Sequence, residues 1–485
     1  MKKDLRFIVI GAGMAGMLAA IRLRAEGYRN VTVLEKGPQV GGTWRENRYL
    51  GLYCDVPAHD YTYSFAPNPE WSGYLAPGAE IQQYFEDIAE RYALTQIIRF
   101  HTEVVSCTHG IGGWTVCTRA GDTVEADVII AATGVLHHPR MPEIADLDTF
   151  EGPKFHSARW PDTIDLAGQR VGVIGNGSTG VQLVTALAGV ARQVSHFQRS
   201  PQWIMPLPNF PYTDKERQAF RENPALIEAV RKDPNLVQAV HRFTTAIANR
   251  DSAEMAELEA FLADYFNQSI ADPMLRERLR PTYRAACKRL IFSATYYAVV
   301  QRPDVAIVTD RIDRVTPQGV LTCDGIQHEL EVLILATGFH ADRYVRPIAI
   351  RGRHGIALDT VWAQRPHAYL AISIPEFPNF FLLNGPGAPV GNFSLIDVAE
   401  RQWTYIAQLI AQVSTGACRE IAPTQTALAA YESRRIAAAQ QTIFGSGCTS
   451  WYLDATGIPN TWPWDYATFA QAMTAPNLED FNLQS

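Results

Sequence analysis

Two glycine-rich turns, set at matching positions in two separate strand–turn–helix units, constrain this chain more than any other feature. The first reads Gly11-Ala12-Gly13-Met14-Ala15-Gly16 and comes directly after an apolar run at residues 7–10. The second reads Gly175-Asn176-Gly177-Ser178-Thr179-Gly180 and comes directly after an apolar run at 171–174. Each leads into a helical pattern and then another apolar run, at 31–34 and 194–197. In such a unit the first glycine permits a tight turn, and the second lets the backbone approach a pyrophosphate. The third lets the helix pack closely on the strand. The helix N-terminus adds free N–H groups and partial positive charge aimed at the same anion. A bare GxGxxG is weak evidence, but strand, helix and second strand together predict a dinucleotide site. Two such units predict two sites.

The residue at the end of each second strand tells the sites apart. Glu35 lies 24 residues after Gly11, and Arg199 lies 24 residues after Gly175. An acid at this position accepts hydrogen bonds from the ribose hydroxyls of an adenosine half, whereas an arginine pairs with a 2′-phosphate. Glu35 therefore marks an FAD site and Arg199, with Ser200 beside it, an NADPH site. The Ala131-Ala132-Thr133-Gly134 and Leu335-Ala336-Thr337-Gly338-Phe339 segments each close a buried strand with a small-residue turn. Turns of this kind suit a chain crossing between dinucleotide domains.

Further apolar runs at 128–132 and 332–336 read as buried parallel strands. From about 213 to 280 the pattern becomes charged and helix-forming without strand alternation, which reads as a helical insertion. The expected fold is α/β: two Rossmann-like dinucleotide-binding domains, for FAD and NADP, with the helical insertion in the NADP domain. Residues 1–140 and 341–485 form the expected FAD domain, 150–210 and 281–340 the NADP domain, and 211–280 the insertion. Proline-rich stretches at 138–142, 201–211 and 375–378 mark the joints.

Composition excludes several other functions. A net charge of −7 over 485 residues, with no Lys/Arg stripe, gives nucleic acid no footing as a partner. The seven cysteines are odd in number and form no CxxC pair. That argues for a reducing compartment and against both a disulfide framework and a redox-active dithiol. Met1-Lys2-Lys3 and the apolar run through Ile21 imitate a signal peptide, but Gly11, Gly13 and Gly16 interrupt the run. Arg22 and Arg24 close it. No stretch approaches the ~20 apolar residues of a membrane span, so a cytoplasmic protein is expected. The histidines show no metal-ligand spacing, and no metal is expected.

With these residues identified, the chain resembles the class B flavoprotein monooxygenases, within the flavin-containing monooxygenase superfamily, and specifically their Baeyer–Villiger branch. Phe150-x-Gly152-xxx-His156-xxx-Trp160-Pro161-Asp162 matches the branch fingerprint at every defined position. Relatives that oxygenate amines and sulfides usually carry Tyr or Phe where this chain has Trp160. Gly41-Gly42-Thr43-Trp44, then Tyr49, Gly51 and Asp55, resembles a second motif. It departs at Leu50, where the family usually has proline, which implies a looser loop around Asp55. Lys288-Arg289 with Tyr296-Tyr297 resembles the segment supplying the family's active-site arginine. Residues 380–400, including Gly385-Pro386 and Gly391-Asn392-Phe393-Ser394, resemble a flavin-facing segment, and Cys448-Thr449-Ser450-Trp451-Tyr452 is also similar to the group.

The resemblance implies that NADPH reduces the flavin, which captures O2 as a flavin peroxide that attacks a carbonyl carbon, giving an ester or lactone. Oxygen insertion is then the cofactor's chemistry, and the protein stabilises the anion and excludes water. Arg289 is the candidate cation and Asp55 the group positioning it, because a guanidinium stays charged and donates from a planar fork. Lys288 adds a contact to the 2′-phosphate, while Thr43, Trp44, Tyr61 and Val105 fall on the FAD side. His156 reads as a hydrogen-bonded structural residue of a domain joint, with Trp160 packing the same joint. The apolar character of the remaining loops favours a hydrophobic ketone. One alternative keeps the fold but moves the oxygen to nitrogen or sulfur. A non-oxygenating reductase would need a cysteine pair near the flavin, and neither turn region has one.

Overall fold

The computed structural model describes residues 3–389 and 393–484. Its two largest sheets are wholly parallel and five-stranded, and each is built around one glycine turn. In the first, Arg6–Ile10 pairs with Asn30–Leu34 on one side and Val128–Ala131 on the other. Ile98–Arg99 and Phe380–Leu382 complete the two edges. In the second, Arg170–Ile174 lies between Gln193–Phe197 and Val332–Leu335, flanked by Val305–Val308 and Lys154–His156.

The central strands read as continuous apolar runs because both faces of each sheet are covered. Phe7 and Val9 pack into one core, while Ile8 and Ile10 pack into another across the sheet. The second sheet repeats this, with Val171, Val173, Val332 and Ile334 on one face and Leu333, Leu335 and Phe197 on the other. Strand order reverses beside Arg6–Ile10 in the first sheet and beside Arg170–Ile174 in the second. Ligands bind at this place in doubly wound folds, outside the carboxyl ends of the strands.

The charged stretch after residue 213 forms helices Asp214–Glu222, Ala225–Arg231, Pro234–Ala248, Ala253–Ser269 and Pro273–Arg278. Their starts obey local capping chemistry. Thr213 and Glu216 form a capping box, Asp233 accepts from the N–H groups of Asn235 and Leu236, and Ser252 accepts from Met255. Strands Ile204–Met205 and Ile291–Phe292, which bracket these helices, pair with each other, so the chain leaves and re-enters at one ladder. No helix among the described residues is long and apolar enough to cross a membrane.

One expectation fails here. Cys287 and Cys448 form a disulfide, 161 residues apart in sequence. Local spacing could not reveal it, because tertiary packing brings the exit of the helical insertion against the C-terminal segment. Cys54, Cys107, Cys117, Cys323 and Cys418 are free.

Candidate active site

A continuous cleft of about 2570 Å³ runs between the two sheets and is lined by both glycine turns. A pocket for one small ligand measures about 300–1,000 Å³, so this space suits two dinucleotides with a substrate. The first turn fits its expected ligand. Gly11 has φ +100°, and a Cβ on Gly16 would lie 1.9 Å from the Gly11 carbonyl oxygen. Gly180 repeats this against Gly175 at 1.9 Å, while a Cβ on Gly177 would meet nothing within 4 Å. The Gly177 backbone thus faces open space beside a helix N-terminus, the cradle a pyrophosphate occupies.

Glu35 is 4% exposed and accepts hydrogen bonds from Ala12 N–H (2.8 Å), Gly37 N–H (2.7 Å) and Arg45 (3.0 Å). A carboxylate offers about four lone-pair sites, so roughly one remains for a ribose hydroxyl. The acid both holds the turn and keeps capacity for a ligand. Thr43, Trp44 and Tyr61 line the same half of the cleft, with Trp44 Nε1 donating to the Tyr61 hydroxyl at 3.0 Å. Val105 does not line the cleft. Its neighbour Val104 does, because side chains alternate along strand Val104–Gly110.

On the other side Arg199, Ser200 and Lys288 converge at the cleft wall. Lys288 Nζ donates to Ser200 Oγ at 2.9 Å and lies 4.2 Å over the Tyr283 ring. Burial and the like charge of Arg199 hold the Lys288 ammonium below its ordinary value. A phosphate dianion between the two cations would relieve that repulsion. Ser178 and Thr179 begin the helix behind the second turn and also line the cleft.

Arg289 projects into the cleft with Asp55, the guanidinium donating to the carboxylate at 2.5 Å. Burial opposes the charge on Arg289, but the Asp55 carboxylate and the Tyr452 hydroxyl outweigh it and raise the guanidinium above its already high value. A cation is therefore fixed at every working pH. The Asp55 loop is tied down despite Leu50, contrary to the looser loop implied by the missing proline. The Tyr49 hydroxyl donates to Gln182 Oε1 (2.8 Å) and accepts from Thr179 (3.2 Å). Gln182 in turn donates to the Tyr53 carbonyl (3.0 Å), and the Tyr53 hydroxyl to that of Phe292 (2.9 Å). These bonds reach the second glycine helix, so side-chain contacts replace the stiffness a proline supplies.

Away from the reacting centre, His156 is buried, accepts from Ala158 N–H at 3.1 Å and contacts the Gly338 carbonyl at 3.0 Å. That bonding makes it a neutral joint residue. Trp160 meets Phe155 edge-on at 5.2 Å. Gly391 and Asn392 lie outside the described residues, whereas Phe393 and Ser394 line the cleft.

Sequence reasoning overlooked His196. It is 0% exposed, with Nε2 3.1 Å from the Gly175 carbonyl and Nδ1 3.2 Å from the Tyr296 hydroxyl. It therefore buttresses the second turn from behind, and a polar residue inside a buried apolar strand was the available signal. Burial lowers its pKa to about 4 from 6.5. Because the folded value is depressed, its neutral form stabilises the fold above pH 6.5, and that stability is lost as pH falls toward 4. The expected cost is about 3 kcal/mol by the lower end of that window. Melting temperature recorded against pH should fall over this window, and less steeply in His196→Gln. Equal slopes would remove His196 from the effect.

The family described as pyridine nucleotide-disulphide oxidoreductase matches residues 8–215, which contain both glycine turns. An uncharacterized monooxygenase of Mycobacterium tuberculosis is 44% identical over 476 residues, covering 98% of this chain and 95% of that one. A Baeyer-Villiger monooxygenase of Streptomyces coelicolor is 36% identical over 488 residues, covering 99% and 93%. Among solved structures, OTEMO in complex with FAD and NADP superposes with a TM-score of 0.89 at 28% identity, covering 100% of both chains.

Proposed function

The chain belongs to the Baeyer–Villiger monooxygenase family, and from that premise we propose that its cleft inserts oxygen beside the carbonyl carbon of a hydrophobic ketone, with Arg289 as the essential cation. Its cofactors are FAD and NADPH. In this reading residues 1–140 and 341–485 hold FAD, 150–210 and 281–340 hold NADPH, and 211–280 form the helical insertion. Gly11, Gly13 and Gly16 seat the FAD pyrophosphate, with Glu35 on its ribose, while Gly175, Gly177 and Gly180 seat that of NADPH. Arg199, Ser200 and Lys288 clamp the 2′-phosphate.

When bound, the nicotinamide supplies a hydride and the reduced flavin supplies activated oxygen. The protein's part is electrostatic. Arg289 offers fixed donors to negative charge that develops on oxygen, and Asp55 orients the guanidinium so that little reorganisation is needed during reaction. The observation that carries this reading is the Arg289–Asp55 pair, in the cleft that both glycine turns line.

One apolar stretch of the cleft wall bears on the chemistry of the substrate. Leu236, Val240 and Phe243, spaced along one side of helix Pro234–Ala248, line the cleft with Met205 and Phe292. Such a wall favours an apolar ketone and excludes water. Aerobic turnover with NADPH and a panel of ketones and sulfides tests the reading. An oxygenated ester or lactone, formed with NADPH consumption, is the expected product. NADPH oxidation that yields no oxygenated product from any compound would count against oxygen insertion, and sulfoxide alone would favour the sulfur-oxygenating alternative.

A further inference from the structure

The disulfide that sequence spacing did not foretell joins the residue two places before Arg289 to a segment that itself lines the cleft. Thr449, Ser450 and Trp451 face the cleft directly after Cys448. Tyr452 turns inward, is 4% exposed, and lines one small void together with Arg289. Its ring lies tilted against Phe444 with centroids 4.1 Å apart. Both aromatics share a buried apolar cluster with Cys287 and Leu290. The Ser446 hydroxyl lies 3.1 Å from Cys287 Sγ.

Arg289 thus bonds Asp55 on one loop and packs beside Tyr452 on another. The void where Arg289 and Tyr452 meet is about 10 Å³. That is room for about one water at most, so the contact is close-packed. A segment resting on the protein only through its apolar cluster could slide. The covalent link fixes its position against the loop that carries Arg289, just before strand Ile291–Phe292.

We propose that Tyr452 is a positioning residue for Arg289, and that the Cys287–Cys448 disulfide holds it in place, making oxygen transfer depend on the oxidation state of that pair. The proposal rests on the reading of Arg289 as the reacting-centre cation. Neither cysteine lines the cleft, so the pair is a staple rather than an electron relay to the flavin. Cys287 is 1% exposed and Cys448 is half-buried, so exchange begins at Cys448. A dithiol's thiolate attacks Cys448 Sγ, the S–S bond breaks, and Cys287 leaves as a thiolate that takes a proton. The second thiol of the reductant then releases protonated Cys448, so two electrons and two protons enter in all. A low-molecular-weight disulfide reverses the exchange.

FAD-loaded enzyme, treated with dithiothreitol and desalted, should gain two hydrogens by intact mass. Its product per NADPH should fall about tenfold, below the ~10²-fold that an ångström of misplacement costs. Anaerobic flavin reduction by NADPH should be unchanged, and glutathione disulfide should restore coupling. Cys448→Ser should reproduce the loss without responding to reductant, and Tyr452→Phe should show it with the disulfide intact. The visible spectrum of the bound flavin with NADP⁺ present should shift on reduction, a readout that needs no turnover. An unchanged spectrum with unchanged coupling overturns the proposal, as does enzyme purified without reductant in which both thiols are free. A fall in melting temperature alone, with coupling intact, reduces the staple to a structural role and also overturns it. If instead Arg289→Ala retains full ester yield, the cation reading fails, which is a separate result.

Discussion

Arg289→Ala is expected to leave NADPH-driven flavin reduction nearly intact while lowering ester formation by about 10²–10³-fold, the usual cost of losing one preorganised donor at a developing oxyanion. The two half-reactions separate the roles. On the proposed reading, hydride transfer needs NADPH held at its pyrophosphate by Gly175, Gly177 and Gly180 and at its 2′-phosphate by the clamp, of which the Arg289 side chain is no part. Oxygen transfer needs the charge that Asp55 holds in place at 2.5 Å. Stopped-flow absorbance under anaerobic conditions reads the first step, and product mass per NADPH reads the second. Asp55→Asn should fall between wild type and Arg289→Ala, because it removes the orienting charge but leaves the cation. Unchanged ester yield in Arg289→Ala would take this residue out of the catalytic role.

Arg199→Ala carries the second large effect. Charge-assisted hydrogen bonds contribute about 1.5–3 kcal/mol, so KM for NADPH should rise by roughly 10–150-fold. NADH lacks the 2′-phosphate, and its KM should move little. Lys288→Ala should weaken NADPH in the same direction, and removing its neighbour should relieve the ammonium at Lys288 in Arg199→Ala. Steady-state kinetics with both nucleotides checks the pair. Equal losses for NADPH and NADH would sink the 2′-phosphate assignment.

The architecture was legible because its determinants are local. A glycine whose Cβ would strike a carbonyl at 1.9 Å, an acid or arginine at a fixed distance, and an apolar run of about four residues each leave a mark within roughly 30 positions. The apolar runs at 7–10, 31–34 and 171–174 coincide with the central strands to within one residue at each end. The insertion was legible as a helical stretch from about 213 to 280, while its individual starts at Thr213, Asp233 and Ser252 emerged only from the structure. The elements that escaped are joined by tertiary contacts. Glu35 shares its carboxylate with Arg45, His196 supports a turn 21 residues upstream, and Cys287 meets Cys448 across 161 residues. No periodicity encodes those meetings. Val105 was misplaced by one residue for a related reason: the face of a strand at the cleft is set by its register, and a bulge interrupts that register between Val104 and Ser106.

The hydrogen bonds that join Tyr49 with Thr179 and Gln182 have a consequence for anyone who would treat the nucleotide-binding half as an interchangeable part. The glycine helix that begins after Gly177 is keyed to the opposite half by side chains bonded to one phenol. Transplanting that helix from another protein, to alter nucleotide preference, would bring a good phosphate cradle and leave Tyr49 without its partners. The loss would surface at Asp55, whose loop leaves Tyr49 and depends on that phenol for its anchorage. A graft that carries positions 179 and 182 along with the glycines keeps the lock and the key together.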